Sequence, residues 1–503
     1  MGTSAGVVQN GVAGGERFPR NNSRAMNSPT TARSAELPLR YEPQQVAGAL
    51  SGDLKARSAV TGRLRNWLSG QGTHRAEFLA SAWWSLVSAI IARGSNTVLL
   101  VICARILAQE RFGELAIVQS TVAMFGPLAG LGLGATVTKF LAECRARDPV
   151  RAGRILTLSL ICAAAAGFLM TGALIVLAPF LAKRSLAAPQ LAGTLALSSG
   201  LLFLGVFEAV QTGALTGLEA FRRIAALNVW NGLLSLPLTL VLVNRYGVNG
   251  AIGGMTASLA LACLLNAIAL RSECKRLGIP RRLDGCLGEW PILLSFSLPT
   301  YMGGIIIAPV SWMASAMLVN QSHGYAEMGV FGAADRFRLL LIFVPLAVSR
   351  IALPALSRLR SEGDGAGYHR ILRLNVLFGT CVVAVPALLC AAISPWLMSL
   401  YGVSFRTGWL TMAILALSAI PTMLNTQLGA VFMSHGHAWT RMIIDFCLAA
   451  LFLGAAWWAI PRWQSVGLAA AFAFAYSVAA LLVFLCIRGE RYNVPRQLRP
   501  VNS

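Results

Sequence analysis

From residue 79 onward the chain alternates long apolar runs with short polar turns, and the length of the runs dictates what they form. Residues 79–143 hold two such runs joined by the turn Gln109-Glu110-Arg111, and residues 83–103 carry a single charge, Arg93. About 20 residues at ~1.5 Å each cross a ~30 Å hydrocarbon layer, so this stretch predicts a transmembrane helical hairpin. Ten further runs follow, at 152–181, 190–218, 224–244, 247–270, 290–318, 328–356, 371–400, 405–434, 439–460 and 465–487. The expected fold class is all-α and integral to the membrane: twelve transmembrane helices in two six-helix bundles around a central cavity.

The connections divide these spans. The longest basic loop, 271–289, separates six spans from six, and Gly278-Ile279-Pro280 interrupts any helix within it. This gives an N-terminal lobe at 79–270, a cytoplasmic linker at 271–289, a C-terminal lobe at 290–488 and a cytoplasmic tail at 489–503. Beyond the polar turn from Asn320 to Ala326, Gly329-Val330-Phe331-Gly332-Ala333 occupies the place that Phe112-Gly113-Glu114-Leu115-Ala116 has in the first half. An even number of spans per half leaves the halves in the same orientation, with any pseudo-twofold axis along the membrane normal.

Composition agrees with an integral membrane protein, since 56% of the 503 residues are hydrophobic and only 12% charged, with mean hydropathy +0.64. The net charge of +22 would suggest nucleic acid on a soluble domain. Here the basic residues sit between apolar runs and alternate in density. Sixteen Lys and Arg lie in the loops on the N-terminal side, among them Arg145, Arg147, Arg151 and Arg154, against six on the other (Arg111, Lys183, Arg184, Arg245, Arg406 and Arg462). The positive-inside rule accounts for that bias, places both termini in the cytoplasm and leaves no role for nucleic acid.

Residues 1–78 are polar, with no apolar run long enough for a signal peptide, and are expected to be disordered and cytoplasmic. Within them Val60, Leu64, Trp67 and Leu68 follow helical spacing, as on a membrane-surface helix or in a linker with chance periodicity. Catalytic signals are few. The ten cysteines form no Cys-x-x-Cys pair, His435-Gly436-His437 has no carboxylate or thiol cluster beside it, and no phosphate-binding loop of Walker type occurs. No enzyme activity, metal or cofactor is expected. A membrane polysaccharide polymerase or ligase is the enzymatic alternative, but the outer loops are too short to carry its acid/base residues.

The order of motifs is informative as a set. Ala104-Arg105-Ile106-Leu107 and Phe112-Gly113 are followed by Gly130-Leu131-Gly132-Leu133-Gly134 and Thr138-Lys139-Phe140-Leu141-Ala142-Glu143. In the second half, Gly329-Val330-Phe331-Gly332-Ala333-Ala334-Asp335-Arg336 precedes Leu353-Pro354-Ala355-Leu356-Ser357-Arg358. This ensemble resembles the Wzx-type polysaccharide flippases of the multidrug/oligosaccharidyl-lipid/polysaccharide exporter superfamily, over roughly residues 79–490. The resemblance implies a monomeric, alternating-access flippase in the bacterial cytoplasmic membrane, moving a polyprenyl-diphosphate-linked oligosaccharide for O-antigen, capsule or exopolysaccharide assembly. Membrane lipids, a polysaccharide polymerase and chain-length machinery would be its partners. A drug/cation antiporter or a lipid II flippase of the same superfamily remains the alternative.

Charges within the spans are the candidate site. Arg93 is mid-span in the first helix, and Arg336 and Arg338 lie about 12 and 15 Å into the eighth if that helix begins near Met328. A charge at mid-membrane costs roughly 2.5–3.5 kcal/mol on insertion scales, so Arg93 is expected to face protein or water. The planar forks of the three arginines bind phosphate oxygens bidentately and stay charged, which suits a lipid diphosphate. The competing reading pairs Arg338 with Asp335 and Arg93 with Glu208 as structural ion pairs. Glu208 and Asp335 could also carry a coupling proton or sodium ion. Arg441 and Asp445, four residues apart, read as a helix-surface pair, and Lys139 and Arg350 as snorkelling groups. Pro127, Pro237, Pro299, Pro309, Pro345, Pro386 and Pro421 mark kinks or hinges, and Trp83, Trp84, Trp396, Trp409, Trp457, Trp458 and Trp463 mark interfacial anchors.

Overall fold

The computed structural model describes residues 72–280, 285–290, 298–361, 365–434 and 438–492. The expected surface helix around Val60 to Leu68, His435, His437 and the side chains of Trp83, Trp84 and Arg350 lie outside what it describes.

Eleven helices dominate the described residues: α1 (Gly72–Gly130), α2 (Leu133–Cys144), α3 (Pro149–Phe180), α4 (Ala192–Gly217), α5 (Phe221–Arg276), α6 (Leu298–Val319), α7 (Gly324–Ser361), α8 (Gly365–Ala392), the short α9 (Ser394–Ser399), α10 (Trp409–Ser434) and α11 (Ala438–Tyr492). Among the described residues, seven helical segments are long and apolar enough to cross a bilayer, with Ile305–Val319 a shorter apolar helix. Their outward faces carry large apolar side chains, Val176 being 78% exposed and Phe168 75%, as a lipid-facing surface requires. Trp396, Trp457, Trp458 and Trp463 are likewise exposed.

Three of the longest helices are not single rods. As one rod, α5 with its 56 residues would measure ~84 Å. Non-helical dihedrals at Gly247 break it, and a Cβ on Gly250 would meet the Leu242 carbonyl at 1.9 Å. Residues eight apart in a straight helix are ~12 Å apart, so the chain reverses there. The same reversal occurs in α11, where Gln464 is non-helical and Gly467 abuts the Ala459 carbonyl. In α1 the break falls at Ala108, beside the predicted turn.

A second break was not expected. Leu131 and Gly132 both adopt positive φ, 42° and 70°, so the run predicted as one span ends α1 at Gly130 and restarts as α2. Pro127, one turn earlier, cannot donate a backbone hydrogen bond, which weakens the helix at that point. The restarted piece packs closely on α4: a Cβ on Gly134 would lie 2.7 Å from the Ala209 carbonyl, and one on Gly213 would lie 2.3 Å from that of Gly134.

Helices α2 to α5 pack among themselves, as do α6, α7, α8, α10 and α11. Between the two groups the contacts gather at the end carrying the short turns. Gln109 Nε2 donates to the Ala326 carbonyl (3.3 Å), Arg105 Nε to that of Leu400 (2.7 Å), and Tyr325 OH to that of Leu186 (2.7 Å). Phe112 enters an aromatic cluster of the second half, 6.0 Å from Tyr401 and 5.9 Å from Phe405, both fully buried. At the centre of this seam the second limb of α1 crosses α7, where Gly113 would set a Cβ 1.7 Å from the Tyr325 carbonyl and Gly329 one 2.3 Å from that of Gln109.

The opposite end carries the basic loops, where four of the described arginines are paired. Glu273, its side chain 4% exposed, accepts from Arg223 (2.7 Å) and Arg276 (2.8 Å), while Arg145 meets Glu219 (2.6 Å) and Arg151 meets Glu289 (3.1 Å). Helix α5 runs on to Arg276, six residues past the predicted span end, before Gly278 with φ 64° ends it.

A side chain at the glycine crossing is the test of how tightly the seam is built. Gly113→Ala is expected to cost about 1–3 kcal/mol by overpacking, read as a lower melting temperature in detergent. Gly172→Ala, whose Cβ would meet nothing within 4 Å, should leave the melting temperature unchanged.

Candidate functional site

Below the glycine crossing the two groups of helices part, and the space between them is a cavity of about 450 Å³. Its walls come from both halves: Asn96 and Leu100 on the first limb of α1, Gln119 and Ser120 on the second, Ser311 and Ser315 on α6, Asp335, Arg336 and Arg338 on α7, and Phe452 and Phe472 on α11. The three charged groups among these lining residues all stand on α7, and they sum to one excess positive charge.

Helical periodicity explains how they are disposed. Asp335 and Arg338, three residues apart, share one face of α7, while Arg336 is turned ~100° from Asp335 and reaches Gln119 on the opposite half. The helix begins at Gly324, four residues before the predicted start, which sets Arg336 ~18 Å along it instead of 12 Å and nearer the middle of a ~30 Å layer.

Each cation is held by different partners. Arg338 makes the predicted i, i+3 pair, with Nε and Nη2 each 2.6 Å from Asp335 Oδ1, and lies over the Phe472 ring at 4.3 Å. Arg336 Nη2 donates to Gln119 Oε1 on the other half. Arg93 stands one turn from the cavity-lining Asn96, with its guanidinium over the Phe343 ring of α7 at 4.2 Å. Glu208 accepts from Thr212 Oγ1 at 2.8 Å within α4 and is not among the cavity-lining residues. The structure thus brings Arg336, Arg338 and Asp335 together, sets Arg93 close by on the first half, and leaves Glu208 away from them.

The neutral polar lining was missed from sequence. Gln119, Ser120 and Thr121 form an uncharged polar triplet in the middle of an apolar run, and that interruption is the signal that was available. Thr121 Oγ1 accepts from Trp312 Nε1 at 2.9 Å, a further bond between the halves.

A further buried pair lies within the second half. Arg441 holds Asp445 through two bonds, Nη2 to Oδ1 (2.7 Å) and Nε to Oδ2 (3.1 Å), and donates to the Asn425 carbonyl (3.1 Å). The Asp445 side chain is only 8% exposed, so this predicted pair is buried and not a surface one.

A two-lobed helical membrane protein whose lobes meet at one end and enclose a net-positive cavity, its polar groups set in a largely apolar lining, is built as a transporter. Comparison with known proteins identifies the kind: residues 78–360 match the family described as polysaccharide biosynthesis protein, and the chain belongs to that family. It is 23% identical over 420 residues to the EPS I polysaccharide export inner membrane protein EpsE of Ralstonia nicotianae, covering 80% of this chain and 92% of that protein. It is 25% identical to the succinoglycan biosynthesis transport protein ExoT of Rhizobium meliloti, covering 67% of this chain and 65% of that protein. Its fold is similar to an inward-facing multidrug resistance MATE family transporter of the MOP superfamily, with TM-score 0.68 and 17% identity over 80% of this chain and 96% of that one. A MOP superfamily transporter from Pyrococcus furiosus, reported with a binding pocket of reverse polarity, matches with TM-score 0.62 and 18% identity over 82% of this chain and 95% of that one.

Removing one member of a buried pair strands the other, at about 3–5 kcal/mol. Arg441→Ala is therefore expected to lower the melting temperature strongly, whereas the double replacement Arg441→Met with Asp445→Leu should recover most of the loss. Thermal unfolding of the purified variants checks both.

Proposed function

We propose that this chain is a flippase that moves a polyprenyl-diphosphate-linked oligosaccharide across the bacterial cytoplasmic membrane by alternating access, supplying O-antigen, capsule or exopolysaccharide assembly. The observation that carries the reading is the net-positive wall of α7 at mid-depth in the central cavity, where Arg336 and Arg338 stand together. A diphosphate is a dense anion, and guanidinium groups in a low-dielectric cavity bind it far more strongly than in water. Asn96, Ser120, Ser311 and Ser315 supply uncharged polar groups suited to sugar hydroxyls, and Arg93, exposed on the first half, extends the cationic surface beyond the cavity.

On this reading α1, α5 and α11 each cross twice because of their reversals, and α3, α4, α6, α7, α8 and α10 cross once, making twelve crossings in two lobes of six. Both termini and the basic loops face the cytoplasm, and the short turns face outward. The seam at the short-turn end then closes the cavity to the outside. The names of EpsE and ExoT, export and transport proteins of polysaccharide systems, support a carrier over a polymerase or ligase. A drug/cation antiporter would use a carboxylate open to its cation, but Asp335 is held by Arg338 at 2.6 Å.

The test is protection of a polyprenyl-diphosphate oligosaccharide in proteoliposomes from an external glycan-modifying enzyme. Wild type is expected to equilibrate the lipid across the bilayer. Arg336→Ala and Arg338→Ala, checked for retained folding, should slow it at least tenfold, the loss expected for one charge-assisted hydrogen bond to an anion. Wild-type exchange of organic cations for protons or sodium, without movement of the lipid, would overturn the proposal.

A further inference from the structure

The contacts along the seam are reciprocal. Gly113 abuts the carbonyl of Tyr325, four residues before Gly329, and Gly329 abuts the carbonyl of Gln109, four residues before Gly113. Three residues further on in each helix, a Cβ on Gly332 would meet that of Ala116 at 2.8 Å. The second limb of α1 and α7 therefore cross about a local twofold axis in a fixed register, each lobe presenting equivalent positions to the other. One more turn reaches Gln119 in the first lobe and Asp335 with Arg336 in the second, where the seam opens into the cavity.

At that point the symmetry breaks, because Arg336 Nη2 donates to Gln119 Oε1 across the lobes. Gln119 is tied to its own lobe at its other end, where Nε2 meets Met255 Sδ at 3.2 Å. The neighbouring cross-lobe bond, Trp312 to Thr121, joins two neutral groups, which offer an anion no charge. The Gln119 bond differs in that its donor is the same guanidinium that the proposed function assigns to the diphosphate.

We infer that Gln119 is a latch holding the short-turn end of the lobes closed, and that the anionic head of the substrate releases it by taking over Arg336. The inference rests on the diphosphate reading of the cavity. A phosphate oxygen is a charged acceptor, so its bond to a guanidinium adds ion-pair attraction that a neutral amide oxygen does not supply. Exchange of acceptors is thus favourable, and it removes the polar tie between lobes that sits nearest the cavity. Because a ligand shifts an equilibrium only through unequal affinity for its two states, the same exchange makes the diphosphate bind the open seam more tightly than the closed one.

The experiment places a donor and an acceptor fluorophore at Lys183 and Val403, exposed positions on the short-turn end of the two lobes, through non-canonical amino acids. Farnesyl diphosphate and farnesol are the probes, and calorimetry follows binding in parallel. In wild type, farnesyl diphosphate should increase the population with separated labels and farnesol should not. Gln119→Ala should raise the separated population about tenfold without ligand, bind farnesyl diphosphate more tightly and lose most of the ligand response. Gln119→Glu, which gives Arg336 a charged partner, should do the reverse and weaken binding about tenfold. Opposite shifts in two variants at one position exclude simple misfolding as the cause. Normal binding with label separation unchanged by ligand and by both substitutions overturns the latch alone. No binding of farnesyl diphosphate to wild type overturns the cavity reading and the release step with it.

Discussion

Two helices can touch backbone to backbone only where side chains vanish, and the joining of the two lobes depends on such a place. At Gly113 and Gly329 the carbonyls of Tyr325 and Gln109 fill the space where a Cβ would stand. This crossing fixes the register between the second limb of α1 and α7. The register then puts Phe112 into the pocket of Tyr401 and Phe405, and sets Gln119 opposite Arg336. In a bilayer, where lipid tails are as apolar as leucine, association of helices rests on close packing and interhelical hydrogen bonds more than on hydrophobic burial. The seam combines both, and the cavity is the space left where it stops.

The distribution of charge follows from the cost of placing it there. Three carboxylates within the spans are each bonded inside their own lobe: Glu208 to Thr212 in the first, Asp335 to Arg338 and Asp445 to Arg441 in the second. Arg336 departs from that rule, since its partner Gln119 belongs to the other lobe. A cation whose partner belongs to a different moving body is cheaply available to a ligand, because the same rearrangement that opens the lobes frees it. On the proposed function, substrate recognition and lobe movement share one group, which is the economy an alternating-access carrier needs.

Much of this was legible in the sequence, and the parts that were not have a common cause. Apolar runs of membrane length marked the helices, and the density of arginine marked the basic loops, because both depend on one segment and its solvent. The pairs Asp335 with Arg338 and Arg441 with Asp445 were readable for the same reason, being set by helical spacing alone. The Gln119 bond and the stacking of Arg93 on Phe343 could not be read, since each is decided by a partner helix far away in the chain. The buried state of Asp445 escaped notice likewise: spacing predicts a pair but not what covers it.

The central claim is that the cavity selects a lipid-linked anion. Native mass spectrometry of the wild-type protein released from detergent, offered equal concentrations of a polyprenyl diphosphate and a lipophilic organic cation, asks this directly. The account predicts one polyprenyl diphosphate per chain and no retained cation, with Arg336→Ala retaining little of either. Retention of the cation in preference to the diphosphate would contradict it.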